Sequence, residues 1–402
     1  MIRRWQAFVT QHTGLGPYLA APGDGRVAPV IPARALLWAV LAAYVLRDGA
    51  FHAVEALVRS PARRALGIRR PFGDDTVAYF TERLDVRATR AALVTAVRQA
   101  KRRKGFDDVS RIGLVLDGTT VGRCPSIRCP WCHPVIVPHT DAAGVRGPIG
   151  TVVGQHHKLS LLSVVGGAVP LPVDVEPYGP GDSESAASLR LLIRGVAALG
   201  PRFAQYVVAD GLYANAPFLH AVGDHGLAAL VRLKANLPTL FAAAQARFVG
   251  TPPHDTVTDH GDRIEIWDAD DFDPWADLRW PSVRVIRYRQ THSDGTVVEA
   301  YWLTDFSPRR VSSRALYRLA KGRWTIENQG FNDSKTRYGL NHVPHHHATS
   351  VLIHWLLVLL TLTLERLFRV RYLHRGTHPP LAAMQLLRQL RLSLARPAPD
   401  TG

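Results

Sequence analysis

Two short apolar runs of this chain each end in an aspartate that is followed directly by glycine. One run covers residues 111–116 and leads to Asp117, and the other begins at residue 205 and ends in Asp210. Short runs of leucine, isoleucine and valine that are bounded by turn residues favour buried strands. The sequence therefore predicts two buried strands, each with a carboxylate at its carboxyl end.

Helices and further strands alternate with these two runs, and their order restricts the fold. Helices are predicted over residues 183–200 and 216–226, and the first of them has a good cap at Ser183 and a stop at Gly200. The order of three strands, a helix, a strand, a helix and a strand is that of an RNase H-like core, so the predicted fold class is α/β. The three additional strands cover residues 157–167, 168–178 and 227–233.

Helical periodicity dominates the chain before this region, from about residue 32 to residue 104. We predict a small all-helical N-terminal domain over residues 1–105, with glycine or proline in the turns between helices. A basic cluster near its end is a candidate for phosphate contacts, although a solvated basic surface would give the same composition. The cluster consists of Lys101, Arg102, Arg103 and Lys104.

The predicted α/β domain spans residues 106–375 and contains a segment with another pattern at about 240–305. Alternating β-branched and aromatic residues there favour an inserted β subdomain with a hairpin turn at residues 293–295. Residues 376–402 are predicted to form a C-terminal tail, and its last residues are expected to be disordered.

Basic residues outnumber acidic ones, with 49 lysines and arginines against 33 aspartates and glutamates and a formal net charge of +16. This balance favours a polyanionic partner, either nucleic acid or an anionic membrane surface. The segment 348–364 is apolar, but it contains His354 and is followed by Glu365 and Arg366. Because it is barely long enough to cross a bilayer, we predict a buried core helix, with a membrane anchor as the alternative.

All three cysteines lie between Cys124 and Cys132. An odd number of cysteines this close together argues against a disulfide framework and favours metal ligation or free thiols, which fits a reducing cytoplasm. The N-terminus has basic residues but no apolar core followed by a small-residue cleavage site, so no secretory signal is predicted.

The sequence CPSIRCPWCH places Cys124, Cys129, Cys132 and His133 within ten residues, and His139 follows shortly after. Thiolates and imidazoles at this spacing suit a tetrahedral zinc ion. The fourth ligand is open, because His133 directly adjoins Cys132 and His139 competes with it. A structural Zn²⁺ loop over residues 124–139 is one hypothesis, and free thiols are the other.

Other histidines are interpreted differently. His156 and His157 precede a predicted strand, and we expect them to be structural or to contact a polyanion rather than to bind a metal. The run from His342 to His347 has the composition of a metal-binding segment, but a basic loop that faces a polyanion is the preferred interpretation.

Carboxylates at the ends of adjacent strands converge rigidly, as divalent metal chemistry on phosphodiesters requires. An acid at a strand end is also common in ordinary α/β proteins, where it caps the next helix. The occurrence of both Asp117 and Asp210 in this strand order favours a metal site. A third acid, Glu327, is expected on a long helix that Ser312 or Ser313 caps.

Arg323 precedes Glu327 by one helical turn and Lys335 follows it by about two, so the helical period predicts that they share a face. An exposed Arg–Glu pair of the kind found on many helices would explain the first two residues as well. The apolar residues Trp324, Ile326 and Phe331 around Glu327 are instead typical of a partly buried site.

Four motifs contain these acids and one further lysine: LVLDGTT around Asp117, VVADGLYAN around Asp210, LVRLKAN around Lys234 and GRWTIENQGFNDSKTRYGL around Glu327. With them, over residues 30–375, the chain resembles bacterial insertion-sequence transposases of the DDE class. The resemblance is to the broad group whose third motif contains Tyr, Arg, Glu and Lys. It includes the β-rich segment before the last acid.

The third motif departs from the family pattern at two positions. The tyrosine that normally stands three residues before the arginine is replaced by Ala320, and Tyr317 lies one turn earlier. The lysine normally follows the glutamate with six residues between them, whereas seven separate Glu327 from Lys335. The positions of Arg323 and Glu327 fit the pattern, and the roles of the tyrosine and lysine are left open.

The resemblance implies a DDE transposase that uses Mg²⁺ or Mn²⁺, held by Asp117, Asp210 and Glu327, to cleave transposon ends and transfer strands into target DNA. Arg323, Lys335 and Lys234 would then bind DNA phosphates. It also implies a homodimer on paired ends and a location in the bacterial cytoplasm at the nucleoid. An RNase H-like nuclease without strand transfer and a catalytically silent DNA-binding derivative are the alternatives.

Overall fold

The computed structural model describes residues 1–106, 110–126, 129–140, 146–259, 261–374 and 379–395. Expectations for residues 127 and 128 of the cysteine segment, and for the last residues 396–402, lie outside this part of the chain. The helices are α1 (Ile2–His12), α2 (Gly16–Ala20), α3 (Ala33–Val45), α4 (Phe51–Arg59), α5 (Asp74–Arg83), α6 (Val86–Arg102), α7 (Glu184–Leu199), α8 (Ala216–Asp224), α9 (Pro238–Phe248), α10 (Ser313–Thr325), α11 (Asn332–Arg337), α12 (Ala348–Leu367) and α13 (Ala383–Ala395). The strands are β1 (Gly113–Cys124), β2 (Cys132–Thr140), β3 (Arg146–Val165), β4 (Leu171–Tyr178), β5 (Tyr206–Ala209), β6 (Ala228–Leu233), β7 (Asp255–Asp259), β8 (Asp262–Phe272), β9 (Val283–Thr291) and β10 (Val297–Thr304).

These ten strands of the described residues form one sheet. Its order is β2-β3-β1-β5-β6-β10-β9-β8-β7, and β4 pairs with β3 off this path. β1, β5 and β6 are parallel, whereas β3 is antiparallel to β1 and β4 is antiparallel to β3. Helices complete a mixed α/β structure, so the predicted α/β class is confirmed.

The strand that carries Asp117 is longer than the sequence predicted. β1 pairs with β5 only over Gly113–Val115, but its antiparallel pairing with β3 continues to Cys124. Asp117 therefore lies within β1, just beyond the point where the parallel pairing stops, and not at the end of the strand. β2 was not predicted, because its two prolines disfavour strand structure; they are tolerated at the edge of the sheet, where β2 lies.

The β-rich segment predicted as an inserted subdomain at about 240–305 contains β7 to β10 and most of one helix, α9, that the sequence pattern did not indicate. β10 pairs antiparallel with β6, so these strands extend the main sheet and do not form a sheet of their own. The β9–β10 hairpin turns where it was predicted, and Gly295 adopts a φ of +84° there, a conformation that glycine reaches without strain.

α12 runs through the interior of the protein. It packs against α3, α5 and α6 of the N-terminal helices on one side and against β4 of the sheet on the other. By length and composition, the segment Ala348–Tyr372 could cross a membrane, and its most apolar stretch is completely buried within the protein. The sequence predicted a buried core helix here, and the packing of α12 agrees with that prediction.

The buried His354 of α12 is satisfied by hydrogen bonds. Its Nε2 atom lies 3.1 Å from the carbonyl oxygen of Gly339, which can only accept, so Nε2 donates. Nδ1 then accepts from the Tyr44 hydroxyl at 2.6 Å. Burial lowers the pKa of His354 to about 3, so the ring is neutral at physiological pH and links α3 to α12 without a buried charge.

Part of the segment predicted as a C-terminal tail forms the helix α13. α13 buries Leu386, Leu387 and Leu390, and the Ser393 hydroxyl accepts a hydrogen bond of 2.9 Å from the backbone N–H of Ile2 at the start of α1. Part of the region 376–402 therefore packs on the first helix. The sequence prediction missed this contact because the apolar face of α13 gives no indication of a partner so distant in the chain.

Candidate functional site

Asp117 and Asp210 come together because β1 and β5 are adjacent and parallel. The pairing joins Gly113 to Tyr206 and Val115 to Val208. Asp117 follows the last paired residue of β1, Val115, by two positions, and Asp210 follows the last paired residue of β5, Val208, by two positions, so both acids lie beyond the same end of the paired segment. The sheet therefore brings together the two acids that the sequence singled out.

Glu327 reaches the same edge from the helical segment after α10, with Arg323 between the acids. The Arg323 Nη1 atom lies 2.8 Å from Glu327 Oε1 and 3.6 Å from Asp117 Oδ2. The Arg323 side chain is only 11% exposed, whereas an ordinary surface pair would leave it in solvent. The Glu327 side chain is 41% exposed, so an ordinary surface ion pair fits Glu327 but does not account for the burial of Arg323 beside Asp117.

Asp117 sits in surroundings that oppose its negative charge. Burial raises its pKa to about 7, and the nearby carboxylates of Glu327 and Glu184 add to this effect, while Arg323 counteracts it in part. A divalent cation bound to Asp117 would lower this pKa more than Arg323 does, because it would place positive charge directly on the carboxylate. The electrostatics at Asp117 thus suit a cation-binding carboxylate.

Asp210 is in the opposite situation. Burial alone would raise its pKa, but the Lys234 ammonium group lies 2.8 Å from Oδ2, and its hydrogen bond and charge hold the pKa below the usual value. Lys234 comes directly after β6, which is parallel to β5, so both side chains emerge at the same edge. Lys234 was predicted from its motif and lies at the acids.

Lys335 also reaches this site, because the helix that carries it changes pitch. Between α10 and α11 the residues Ile326–Phe331 form a π-helical turn, which accommodates one extra residue relative to an α-helix. The Lys335 ammonium group hydrogen bonds to the Thr119 hydroxyl on β1, two residues beyond Asp117. The seven-residue spacing in the sequence is consistent with this extra residue, and the predicted long helix capped at Ser312 is present with a π-helical turn inside it.

Tyr317 and Ala320, the two candidates for the missing tyrosine position, point elsewhere. Ala320 is completely buried, and Tyr317 is buried edge-to-face against Tyr288, with ring centroids 5.1 Å apart. Tyr288 lies on β9, one of the strands against which α10 packs. Ala320 has no hydroxyl group and the Tyr317 side chain is buried, so neither offers an exposed hydroxyl group to DNA.

Glu184 is a carboxylate of the site that sequence reasoning missed. A Cβ atom at Gly118 would lie only 2.0 Å from the Glu184 carboxyl carbon, so this acid packs directly over the residue after Asp117. The Tyr213 hydroxyl donates to Oε1 at 3.0 Å, and the Tyr178 hydroxyl donates to Oε2 at 3.4 Å. The glycine after Asp117 was visible in the sequence, but the sequence did not reveal which side chain needs the space.

Glu184→Gln is expected to weaken Mg²⁺ binding by roughly tenfold, because it removes a negative charge beside Asp117 and keeps the side-chain shape. Isothermal titration calorimetry of Mg²⁺ binding would measure the change. Glu299→Gln is a matched control on β10, where the acid is 37% exposed and pairs with Arg287. Equal Mg²⁺ affinities for the two variants would show that Glu184 does not belong to the site.

The predicted basic cluster 101–104 lies far from the acids. The Lys101 ammonium group donates to the carbonyl oxygens of Arg202 at 3.1 Å and Phe203 at 2.6 Å, just before β5 begins. The cluster is therefore near the amino end of β5, whereas Asp210 follows its carboxyl end. DNA contact here stays a prediction, and it would be separate from the acids. The exposed members of the cluster are Arg102, Arg103 and Lys104.

The cysteine segment folds differently from the prediction. His133 points away, with Nε2 2.9 Å from the carbonyl oxygen of Tyr178. The cysteines Cys129 and Cys132 instead lie against His157, which the sequence analysis had not treated as a ligand. Because Cys132 and His157 pair directly across β2 and β3, only the strand register reveals this partnership. His139 hydrogen bonds to Thr151 at 3.0 Å, also away from the cysteines.

The comparisons with known proteins assign the chain to a class. A family model described as "Transposase DDE domain" matches residues 110–364, which is more than half of the chain. The protein therefore belongs to the transposase DDE domain family, whose members are enzymes of DNA transposition that generally use divalent metal ions. No curated protein matches the sequence.

One solved structure aligned with the chain is described as a piggyBac transposase synaptic complex with hairpin DNA. The alignment covers 98% of this chain and 79% of that one, with 10% sequence identity and a TM-score of 0.47. The assignment to the family rests on the sequence match over residues 110–364.

Proposed function

We propose that the protein is a DDE transposase of a bacterial insertion sequence, in which Asp117, Asp210 and Glu327 hold Mg²⁺ or Mn²⁺. The observation that carries the proposal is the placement of Arg323, with one nitrogen near both Asp117 and Glu327. This contact joins the sheet acids to the helix acid in one site. Support for an RNase H-like core comes from the strand order β4-β3-β1-β5-β6, with β5 and β6 parallel to β1.

The donor set fits hard divalent cations. Carboxylate oxygens are the ligands that Mg²⁺ and Mn²⁺ prefer, and burial raises the pKa of Asp117 to about 7 although Arg323 lies beside it. When bound, such ions activate a water or a 3′-hydroxyl group and neutralise charge on the phosphate under attack. A structural zinc ion at the cysteine segment would be a separate cofactor with no part in this chemistry.

The cationic side chains at the acids would bind DNA phosphates. Lys234 and Lys335 flank the acids, from β6 and from the helical segment respectively, and each would bind a phosphate in place of its present partner. Arg323 would neutralise charge between the acids. Because they lie on three different elements, these side chains would hold a phosphodiester at the carboxylates.

A cavity beside the site offers a path for DNA, and its positive charge comes from Arg123, because burial lowers the pKa values of His156 and His342. Its volume is about 710 Å³, and Arg123, His156, His342 and His346 contribute to its walls. Thr120 and Val121 of β1 also line it, so it begins three residues beyond Asp117. The loop around His342, which the sequence predicted to be basic, borders this cavity. A homodimer that pairs two transposon ends, in the bacterial cytoplasm at the nucleoid, completes the proposal.

A strand-cleavage and strand-transfer assay tests the function. The purified protein, Mg²⁺ and DNA carrying the terminal repeats that flank the gene are expected to give nicked ends and joined products. Cleavage without joining would identify a nuclease and contradict the transposase. Tight DNA binding with neither product would identify a silent DNA-binding derivative.

Mg²⁺ binding is expected to release a proton below neutral pH. The pKa of Asp117 is raised to about 7, so the folded protein keeps this proton up to that pH and a cation must displace it. Affinity for Mg²⁺ should therefore rise by about tenfold between about pH 6 and pH 8. Calorimetry in two buffers of different ionisation enthalpy measures the released proton, and pH-independent binding would contradict this account.

The raised pKa of Asp117 also makes the stability of the metal-free protein depend on pH. An aspartate in the unfolded chain loses its proton near pH 3.9, whereas folded Asp117 keeps it until about pH 7. Protonated Asp117 therefore contributes fully to stability below the pKa of the unfolded chain, and this contribution to the free energy of unfolding is lost as the pH rises through about 7. Mg²⁺ restores it at neutral pH.

A further inference from the structure

The turn Cys129–Cys132 brings together two thiols, which are potential metal ligands. The backbone N–H of Cys132 hydrogen bonds to the carbonyl oxygen of Cys129 at 3.3 Å, which points both thiols the same way. Their sulfur atoms are 3.7 Å apart, too far for a disulfide of about 2.05 Å. Gly179 packs against the Pro130 carbonyl so closely that a Cβ atom would lie 2.3 Å from its oxygen.

His157 completes a triangle with these thiols. Its Nε2 atom lies 3.2 Å from Cys129 Sγ and 3.7 Å from Cys132 Sγ. With Zn–S of about 2.3 Å and Zn–N of about 2.0–2.1 Å, ligands of a tetrahedral zinc are separated by roughly 3.8 Å for two sulfurs and roughly 3.6 Å for sulfur and nitrogen. The three observed distances are within a few tenths of an ångström of these values.

The surroundings hold this triangle rigidly. All three side chains are buried, and the Trp355 ring on α12 packs edge-to-face on His157 with ring centroids 5.5 Å apart. Trp131, within the turn, packs on the same Trp355 at 6.0 Å. Ligand positions are therefore fixed by α12 as well as by β2 and β3.

Cys124 lies outside this convergent group of three and is one candidate for a fourth ligand. It is the last residue of β1, where it pairs with Gln155 on β3, two residues before His157. Its sulfur is buried and lies 3.6 Å from Nδ1 of His346, in the segment after α11. The geometry allows either the thiol of Cys124 or the ring of His346 as the fourth ligand.

We infer that Cys124, Cys129, Cys132 and His157 form a structural zinc site. Three thiolates and one imidazole are an established structural ligand set, and a fully protein-bound zinc needs no open position. The site joins the end of β1, the start of β2 and the middle of β3, which only the folded sheet brings together. It goes beyond the proposed catalytic role, because it uses none of the catalytic acids.

The zinc site is expected to act on stability rather than on chemistry. Cys124 is seven residues beyond Asp117 along β1, a distance of roughly 20 Å at the usual rise of a strand. Metal that binds only the folded chain stabilises it by mass action. Removal of zinc should therefore lower the melting temperature by several degrees, whether or not the protein transposes DNA.

Metal content of variants tests the ligand set. Protein purified without chelators is expected to contain about one zinc per chain, measured by elemental analysis. His157→Ala and Cys129→Ser should each reduce this to below about a tenth. His133→Ala is the matched control, because His133 adjoins Cys132 but bonds to the Tyr178 carbonyl, and it should keep its zinc.

The opposite pattern would overturn the inference. If His133→Ala lost its zinc and His157→Ala kept it, the histidine ligand would be His133 and not His157. If the wild-type protein contained no zinc after incubation with a zinc salt, the proposed site would not exist. Should the variants fail to fold, cobalt substitution of the wild-type protein provides a second measurement. Tetrahedral thiolate coordination should give intense sulfur-to-cobalt absorption, and its absence would contradict the site.

The fourth ligand is tested in the same way. Cys124→Ser should lower the sulfur-to-cobalt absorption by about one third, because one of three thiolates is lost. His346→Ala should leave the absorption unchanged. A reversal of these two results would assign the position to His346 and exclude Cys124.

Discussion

Asp117→Asn is expected to reduce DNA cleavage and strand transfer by roughly a thousandfold or more. The change keeps the shape of the side chain but removes the charge that would hold the metal, and metal-based stabilisation of the transition state amounts to several kcal/mol. Asp210→Asn and Glu327→Gln should give losses of the same order. Rates of nicking and joining on terminal-repeat DNA provide the measurement.

Asp224→Asn is the matched control for these variants. Asp224 is an exposed residue at the end of α8, so the same chemical change there should leave both rates within about twofold. DNA binding in the absence of metal should persist in all variants, because the cationic side chains remain. Activity of Asp117→Asn comparable to that of Asp224→Asn would refute the assignment of the catalytic acids.

The second large effect is expected from Arg366, a buried residue of α12. Its guanidinium group donates to the carbonyl oxygens of Pro170, at 2.6 Å, and Gln329, and it forms a 3.0 Å ion pair with Asp333. Gln329 lies in the π-helical turn that places Lys335. Arg366 thus satisfies a backbone carbonyl of the turn and connects the turn to α12 and the sheet.

Arg366→Ala is expected to destabilise the protein by about 3 kcal/mol or more, because it leaves the buried carbonyl group of Pro170 and a partly buried carboxylate without their partner. Denaturant-induced unfolding measures the loss. Arg337→Ala removes a different ion pair to the same Asp333, and since Arg337 is 47% exposed the cost should stay below about 1 kcal/mol. Similar losses for both variants would contradict the role given to Arg366.

Local patterns predicted the parts of the site that depend on local chemistry. Asp117 and Asp210 could be found because apolar runs mark buried strands, and because parallel strands align their carboxyl ends. Arg323 and Glu327 could be paired because four residues make one helical turn. These inferences use spacings of a few residues, which the chain displays directly.

The remainder of the site depends on contacts between distant parts of the chain. Glu184 meets Gly118 across 66 positions in the sequence, and His157 meets Cys132 only through the register of β2 and β3. The π-helical turn was missed because an α-helical period has no place for an extra residue. A pattern along one strand or helix does not specify which other strand or helix will pack against it.

The position of α12 has a consequence for synthesis of the protein on the ribosome. α3, α5 and α6 are complete by residue 102, but the helix that covers their apolar faces begins only at Ala348. At about 5–20 residues per second, roughly 10 to 50 s separate the two events. During that interval the nascent N-terminal helices expose apolar surface, so production of this transposase family member should depend on chaperones that shield unfinished chains.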